Sequence, residues 1–310
     1  MSAALTYGGL VGGGSPWNWF NIARDYAALN AKNEEVTTRD GHVYGYLCNL
    51  TLAGTGPSII SIVGAPNTWK MRNSVRKAHF LREAMFKDAG VTKSEIGTYA
   101  RTIRPHLTTD MVTDGTYATP SFARPGGSGG TTIAGGEWSY TTLASSPSWD
   151  NTPLVDHTAL PLADTYTLAI CGPNVEQADA GGIKSWSTIG LVNSYNIDRM
   201  EMIPDATTDT SIVGTNNPFS MLKSQSVVSG EVGEIAKEQE LEAPPYDVAD
   251  NGDSMEVDYK AVSQLNSTMS VRKFQIFLPA GLMAIYSSAA MAGSLLNIEV
   301  VAKVLCKDMA

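Results

Sequence analysis

Cysteine is scarce in this chain. Only Cys48, Cys171 and Cys306 occur in 310 residues, and they stand far apart. An odd, scattered set with no CxxC pair argues against both a disulfide framework and a thiolate zinc site. Each lies in an apolar, strand-like run, as buried free thiols do, which points to assembly in a reducing, intracellular place. Histidine is as sparse: His42, His79, His106 and His157 show no HxxxH or HxH spacing, so no metal or general-base pattern emerges. Long apolar runs are missing as well. None approaches the roughly 18 residues that a membrane-spanning helix needs, and no membrane partner is expected. The start, MSAALTYGGLVGGG, lacks the basic and then apolar regions of a secretory signal, and the first basic residue is Arg24.

What is present is a polarised charge distribution. The formal net charge is −9, yet residues 70–106 hold nine bases (Lys70, Arg72, Arg76, Lys77, Arg82, Lys87, Lys93, Arg101, Arg104) against Glu83, Asp88 and Glu95. That stretch is +6, which leaves −15 for the rest of the chain. At the other pole, residues 231–258 carry ten acids against Lys237 alone. Composition is otherwise that of a globular protein, 43% hydrophobic and 17% charged.

Six runs have the length, β-branched content and turn boundaries of strands: HVYGYLCNLTL (42–52), PSIISIVG (57–64), DTYTLAICG (164–172), SWSTIGLVNSY (185–195), VRKFQIFLPAGLMAIYSS (271–288) and LLNIEVVAKVLC (295–306). In the last, Ile298, Val300, Ala302 and Val304 alternate with Asn297, Glu299 and Lys303, which predicts one buried and one wet face. Helical periodicity is concentrated after the second run. Met71, Val75, Ala78, Leu81, Met85 and Ala89 fall on one side of a helix, with Arg72, Arg76, His79 and Lys87 opposite and Gly90 as its stop. Thr92 and Glu95 form a capping box that predicts a second short helix ending near Arg104, before Pro105. Residues 108–160, rich in Gly, Ser and Thr, read as a long surface insertion. GGLVGGG reads as part of a flexible arm over residues 1–41. The WNWF that follows it makes Trp17, Trp19 and Phe20 candidates for an interface anchor, with ordinary core burial as the alternative.

Two patterns imitate chemistry. GGSGG satisfies the G-x-S-x-G form of a nucleophile elbow at Ser128. That motif requires a strand before and a helix after it, and here both flanks are Gly, Pro and Thr. DVADNGDSMEVD resembles a calcium loop, with Asp247, Asp250, Asp253 and Asp258 as weak interface-calcium candidates, but Ala249 occupies a ligand position. No firm cofactor follows from either. The cations Lys70, Arg72, Arg76, Lys77, Arg82, Lys87, Arg101 and Arg104 mostly lack i,i+4 acid partners, so they are read as meeting either a polyanion or the acidic pole.

The block WKMRNSVRKAHFLREAMFKDAGVTKSEIGTYARTIRP, then TYTLAICGP, STIGLVNSYNIDR, LEAPPYD, FLPAGLMAIY and LLNIEVVAKVLCKD, resembles capsid proteins of circular Rep-encoding single-stranded DNA viruses. The likeness covers residues 43–104 and 165–310, and it rests on the order of the blocks. It implies an all-β fold: a single viral jelly-roll β-sandwich of two antiparallel four-stranded sheets over residues 42–310, with a helical insertion (70–105) after the second strand and long loops. It implies a structural, non-enzymatic subunit that self-assembles inside the host cell into an icosahedral virion shell around single-stranded DNA. The family's helical block falls on residues 69–104, its G-L-x-x-S-Y strand on 190–195 and its P-P-Y-D turn on 244–247. One departure is the missing arginine-rich N-terminal arm, the family's usual means of neutralising DNA. Two rival functions stand beside this one: a single-stranded nucleic-acid-binding protein stacking bases on Trp69 and Phe80, and a β-rich serine hydrolase using Ser128.

Overall fold

Alternation of apolar and polar residues at period two gives a strand one face that must leave water, and this chain solves the problem by pairing its beginning with its end. The structure, a computed structural model, describes residues 4–8, 17–92, 96–97, 102–114, 121–122, 131–132, 139–145, 164–177, 185–201, 257–266, 268–289 and 292–306. In chain order the elements are β1 (Ala4–Gly8), β2 (Trp17–Asn21), α1 (Ile22–Leu29), β3 (Tyr44–Thr55), β4 (Ser58–Gly64), α2 (Trp69–Asp88), β5 (His106–Thr108) and α3 (Thr109–Asp114). They continue with β6 (Ser121–Phe122), β7 (Thr131–Thr132), β8 (Thr142–Ser145), β9 (Asp164–Cys171), β10 (Val175–Gln177), β11 (Ser185–Gly190) and α4 (Leu191–Glu201). The chain closes with β12 (Asp258–Leu265), β13 (Ser270–Pro279), β14 (Leu282–Ser287) and β15 (Ala292–Leu305).

Two four-stranded antiparallel sheets form a β-sandwich. One has the order β1-β15-β3-β13 and the other β12-β4-β14-β2. Each of the first four sandwich strands pairs with one of the last four: β1 with β15, β2 with β14, β3 with β13 and β4 with β12. Between the sheets, Leu5 and Tyr7, Cys48 and Leu50, Ile60 and Ile62, Met283 and Ile285, and Leu296 and Ile298 are buried in one cluster. Each such side chain contributes roughly 1.5–3 kcal/mol by leaving water. Tyr7 of one sheet meets Phe20 of the other edge-on at 5.0 Å. The three cysteines are free and buried. Burial pushes the Cys48 and Cys306 thiols up to about 12, which makes them inert small hydrophobes.

Within residues 1–41, β1 and β2 are strands of the two sheets, and α1 follows with Asn21 as its N-cap, accepting from the Arg24 N–H at 3.0 Å; the GGLVGGG segment lies mostly outside the described residues. The run 271–288 is two strands. Ala280 and Gly281 at φ 57° and 70° turn the chain from one sheet into the other, and a Cβ at 281 would lie 2.8 Å from the Ala23 nitrogen. In β15 the predicted alternation holds through Ile298 and Val300. A bulge between Val300 and Ala302 then shifts the phase and leaves Val304 exposed.

Everything from residue 65 to 257 is inserted between β4 and β12, and it is more than helical. It carries a mixed sheet of order β10-β11-β9-β5, with β8 also on β9; β5 and β11 both run parallel to β9. The runs 164–172 and 185–195 thus contribute to this sheet and not to the sandwich. The second stops as a strand at Gly190, and Leu191 begins α4. The cause is local. Asn174 Oδ1 accepts from the Gly190 N–H at 2.9 Å and from the Ser194 hydroxyl at 3.0 Å, fixing a turn and a helix start where β-branched content had predicted extended chain.

The stretch 108–160 is not wholly a surface loop: Thr108, Met111 and Leu143 are buried, on β5, α3 and β8. Of the predicted second short helix, residues 96–97 and 102–104 are described and are not helical. The rest lies outside the described residues. No helix among those described is long and apolar enough to cross a membrane.

Candidate interface on the cationic helix

The Thr68 hydroxyl caps α2 by accepting from the Met71 N–H at 3.3 Å. Met71, Val75 and Ala78 are buried as their spacing predicts. Two positions differ. His79, placed by periodicity on the wet side, is 4% exposed, while Leu81, placed on the apolar side, is 48% exposed. The reason is the loop before β3: Gly41, at φ 79°, comes so close that a Cβ there would meet the His79 ring at 3.0 Å. Burial lowers the His79 pKa, while Glu83 at 3.8 Å opposes the shift. The open face of α2 is consequently Asn73, Arg76, Lys77, Phe80, Leu81, Ala84 and Lys87.

The fate of the cations divides them. Arg72 donates to the Cys306 carbonyl at 3.2 Å and to Asn67 Oδ1 at 3.4 Å, tying the start of α2 to the end of β15. Arg82 donates to the Thr102 carbonyl at 3.0 Å and lies 5.1 Å over the Phe86 ring. Burial, with Arg104 nearby, lowers its pKa to about 10, which leaves it charged at neutral pH. Arg104 is buried and donates from Nε to the Ser139 carbonyl at 2.7 Å, with its own N–H bound to Thr141 Oγ1 at 2.8 Å. Lys70 is buried too. These four serve the packing of the insertion, three of them through backbone carbonyls. Arg76, Lys77 and Lys87 stay exposed, with the Arg76 guanidinium 5.5 Å above the Phe80 ring. Arg101 lies outside the described residues.

Beside this open face runs a groove of ≈ 240 Å³ between α2, the mixed sheet and α4. Ala78 and Leu81 form one wall; Leu143, Tyr166, Leu168, Ile189 and Leu191 line the rest, with Lys77, Ser74, Ser194 and Tyr195 at the polar positions. Trp69 stands edge-on to Tyr195 at 6.2 Å. Periodicity missed the groove because its two walls lie more than 50 residues apart in sequence.

Trp19 and Phe20 are buried in the sandwich, and Trp17 is half-buried, stacked on Trp19 at 5.7 Å and tilted against Tyr286 at 5.2 Å. Core packing accounts for them, and Trp19 and Phe20 have no surface left for an interface anchor. Asp258 begins β12 and pairs with Lys260 at 2.6 Å. Asp247, Asp250 and Asp253 lie outside the described residues, as does Ser128. Among the described residues no group of three or more His, Cys, Asp or Glu could hold a metal ion.

No family model, curated protein or solved structure matches the chain.

Proposed function

We propose that the protein is a structural capsid subunit of jelly-roll type that self-assembles into a closed shell in a virion, in keeping with its resemblance to capsid proteins of circular Rep-encoding single-stranded DNA viruses. The observation that carries this reading is the strand order. Numbered one to eight along the chain, the sandwich strands run 1-8-3-6 in one sheet and 5-4-7-2 in the other. That is the order obtained when a long antiparallel hairpin, one paired with eight through four paired with five, is rolled up as a unit, the arrangement of an eight-stranded jelly roll.

A shell subunit must also present apolar surface for repeated contacts. Register places Tyr259, Val262 and Ile59 on one face of the second sheet, in rows with Val63, Ser61 and Gln264, and all three are more than half exposed. They adjoin Tyr286, which pairs with Ser61 on the same face. A single-stranded DNA genome is the expected content of the shell. Arg72, Arg82 and Arg104 are already engaged with backbone carbonyls, which leaves, among the described residues, the exposed Arg76, Lys77 and Lys87 as the cations of the basic stretch turned toward solvent.

Electron microscopy of the purified full chain tests the proposal. Closed particles of uniform diameter are the expected result. A protein that stays monomeric across salt and pH, with no particles, overturns it. A small species that binds single-stranded oligonucleotides tightly with a steep salt slope would favour the nucleic-acid-binding alternative instead.

A further inference from the structure

The groove beside α2 has a composition that selects its occupant. Its floor is aliphatic and aromatic, its polar positions are hydroxyls, and its one charged lining residue among those described is Lys77, with exposed Arg76 adjacent. No carboxylate lines it among the described residues. Phosphates gain nothing from such a floor, whereas a peptide that alternates carboxylates with apolar side chains satisfies floor and bank together.

The chain contains one stretch of that chemistry. Residues 238–253, EQELEAPPYDVADNGD, hold six acids and no base, interleaved with Leu241, Pro244, Pro245, Tyr246 and Val248. The two prolines restrict the free peptide and so reduce the ordering cost of laying it in a groove. We propose that the α2 groove is an intersubunit docking site for the acidic proline-tyrosine segment 238–253 of a second copy of this chain. Lys77 and Arg76 would face its carboxylates, and Leu81, Ile189 and Leu191 its apolar side chains. The proposal rests on the self-assembly reading and specifies one contact within it.

Zero-length carbodiimide coupling of full-length protein, mixed from isotopically light and heavy preparations, tests it. Mass spectrometry should find Lys77 joined to Glu240 or Glu242 in light–heavy pairs. Links only within light or only within heavy chains place the segment in its own subunit and overturn the proposal; so does the absence of the link. So does protection of Lys77 from coupling by an oligothymidylate probe that binds with no such link.

A second measurement guards against a variant that merely misfolds. Full chains carrying Arg76→Glu with Lys77→Glu, and full chains carrying Glu240→Lys with Glu242→Lys, should each associate at least tenfold more weakly in sedimentation velocity. An equimolar mixture of the two should recover association. No recovery, with both variants folded by circular dichroism, overturns the contact. Light–heavy links in small oligomers that never close into particles leave this contact standing and defeat the shell; uniform shells lacking the link do the reverse.

Discussion

The phenol of Tyr7 in β1 donates to Oδ2 of Asp25 in α1 at 2.7 Å, and the other carboxylate oxygen accepts from Arg24 Nε at 2.7 Å. Both Tyr7 and Asp25 are buried. Burial raises the Asp25 carboxyl above its ordinary value, and the Arg24 guanidinium opposes that shift. For Tyr7, burial and the neighbouring carboxylate both raise the phenol. The first strand is thus clamped at two places: by its ladder with β15, in which Leu5 pairs with Ile298, and by this polar knot.

Removing the Tyr7 hydroxyl leaves a buried carboxyl with one donor fewer. Tyr7→Phe is expected to cost about 1.5–3 kcal/mol, the worth of a hydrogen bond to a charged group. Urea unfolding should show a lower midpoint with an unchanged slope. An unaltered midpoint would mean that the first strand does not hold the fold together.

His106 stacks on Tyr140 with ring centroids 3.6 Å apart, and its Nδ1 lies 3.3 Å from the Leu168 carbonyl. Burial lowers its pKa to about 4, with the Leu168 contact opposing. A histidine depressed in the folded state stays neutral there while the unfolded chain takes up a proton near pH 6.5. Its contribution is therefore present in full above about pH 6.5 and is lost as pH falls toward 4. The loss amounts to roughly 3 kcal/mol at the acid end of that window. His106→Phe should flatten the stability profile between pH 6.5 and 4, read by thermal unfolding at a series of pH values.

The cations of the basic stretch 70–106 predict an unequal response to truncation. Arg104→Ala and Arg82→Ala leave the carbonyls of Ser139 and Thr102 without their donors and should each destabilise by about 1–3 kcal/mol. Arg76→Ala removes an exposed guanidinium resting on Phe80 and should stay within about 0.5 kcal/mol. Equal losses at all three positions would contradict this division of roles.

Legibility from sequence tracked how local each decision was. β3, β4 and β15 were readable because β-branched and aromatic residues fill runs of strand length between turn residues; β13 and β14 were readable as strand too, but as one run, 271–288. β1 and β2 were not, because each is only five residues long and glycines between them suggested slack chain; their partners, β15 and β14, lie at the far end of the sequence. β9 and β11 read correctly as strands over most of their length. Period-two alternation does not say which sheet a strand joins, and parallel pairing put them in a third sheet. The charge anomaly of residues 70–106 was visible, but the acceptors that resolve much of it, at Cys306, Thr102 and Ser139, were not. Backbone carbonyls leave no trace in composition.

Gly190 offers the sharpest test of the inserted sheet, because it stands where β11 turns into α4. A Cβ built there would lie 1.9 Å from the Gly172 carbonyl oxygen and 3.0 Å from its carbon, so the obstacle is backbone rather than a side chain that can swing away. Gly172 itself, at φ 98°, is held against Thr109 and has little freedom to retreat. Gly190→Ala must then push apart the turn after β9 and the start of α4, breaking the bonds that Asn174 makes to residues 190 and 194. A loss of more than about 3 kcal/mol is expected, in the range reserved for steric conflict in a packed interior. Asn174→Ala removes the same bonds without the clash and should cost only about 1–2 kcal/mol. Were the two substitutions to cost the same in denaturant titrations, hydrogen bonding rather than close backbone approach would be what demands glycine at this turn.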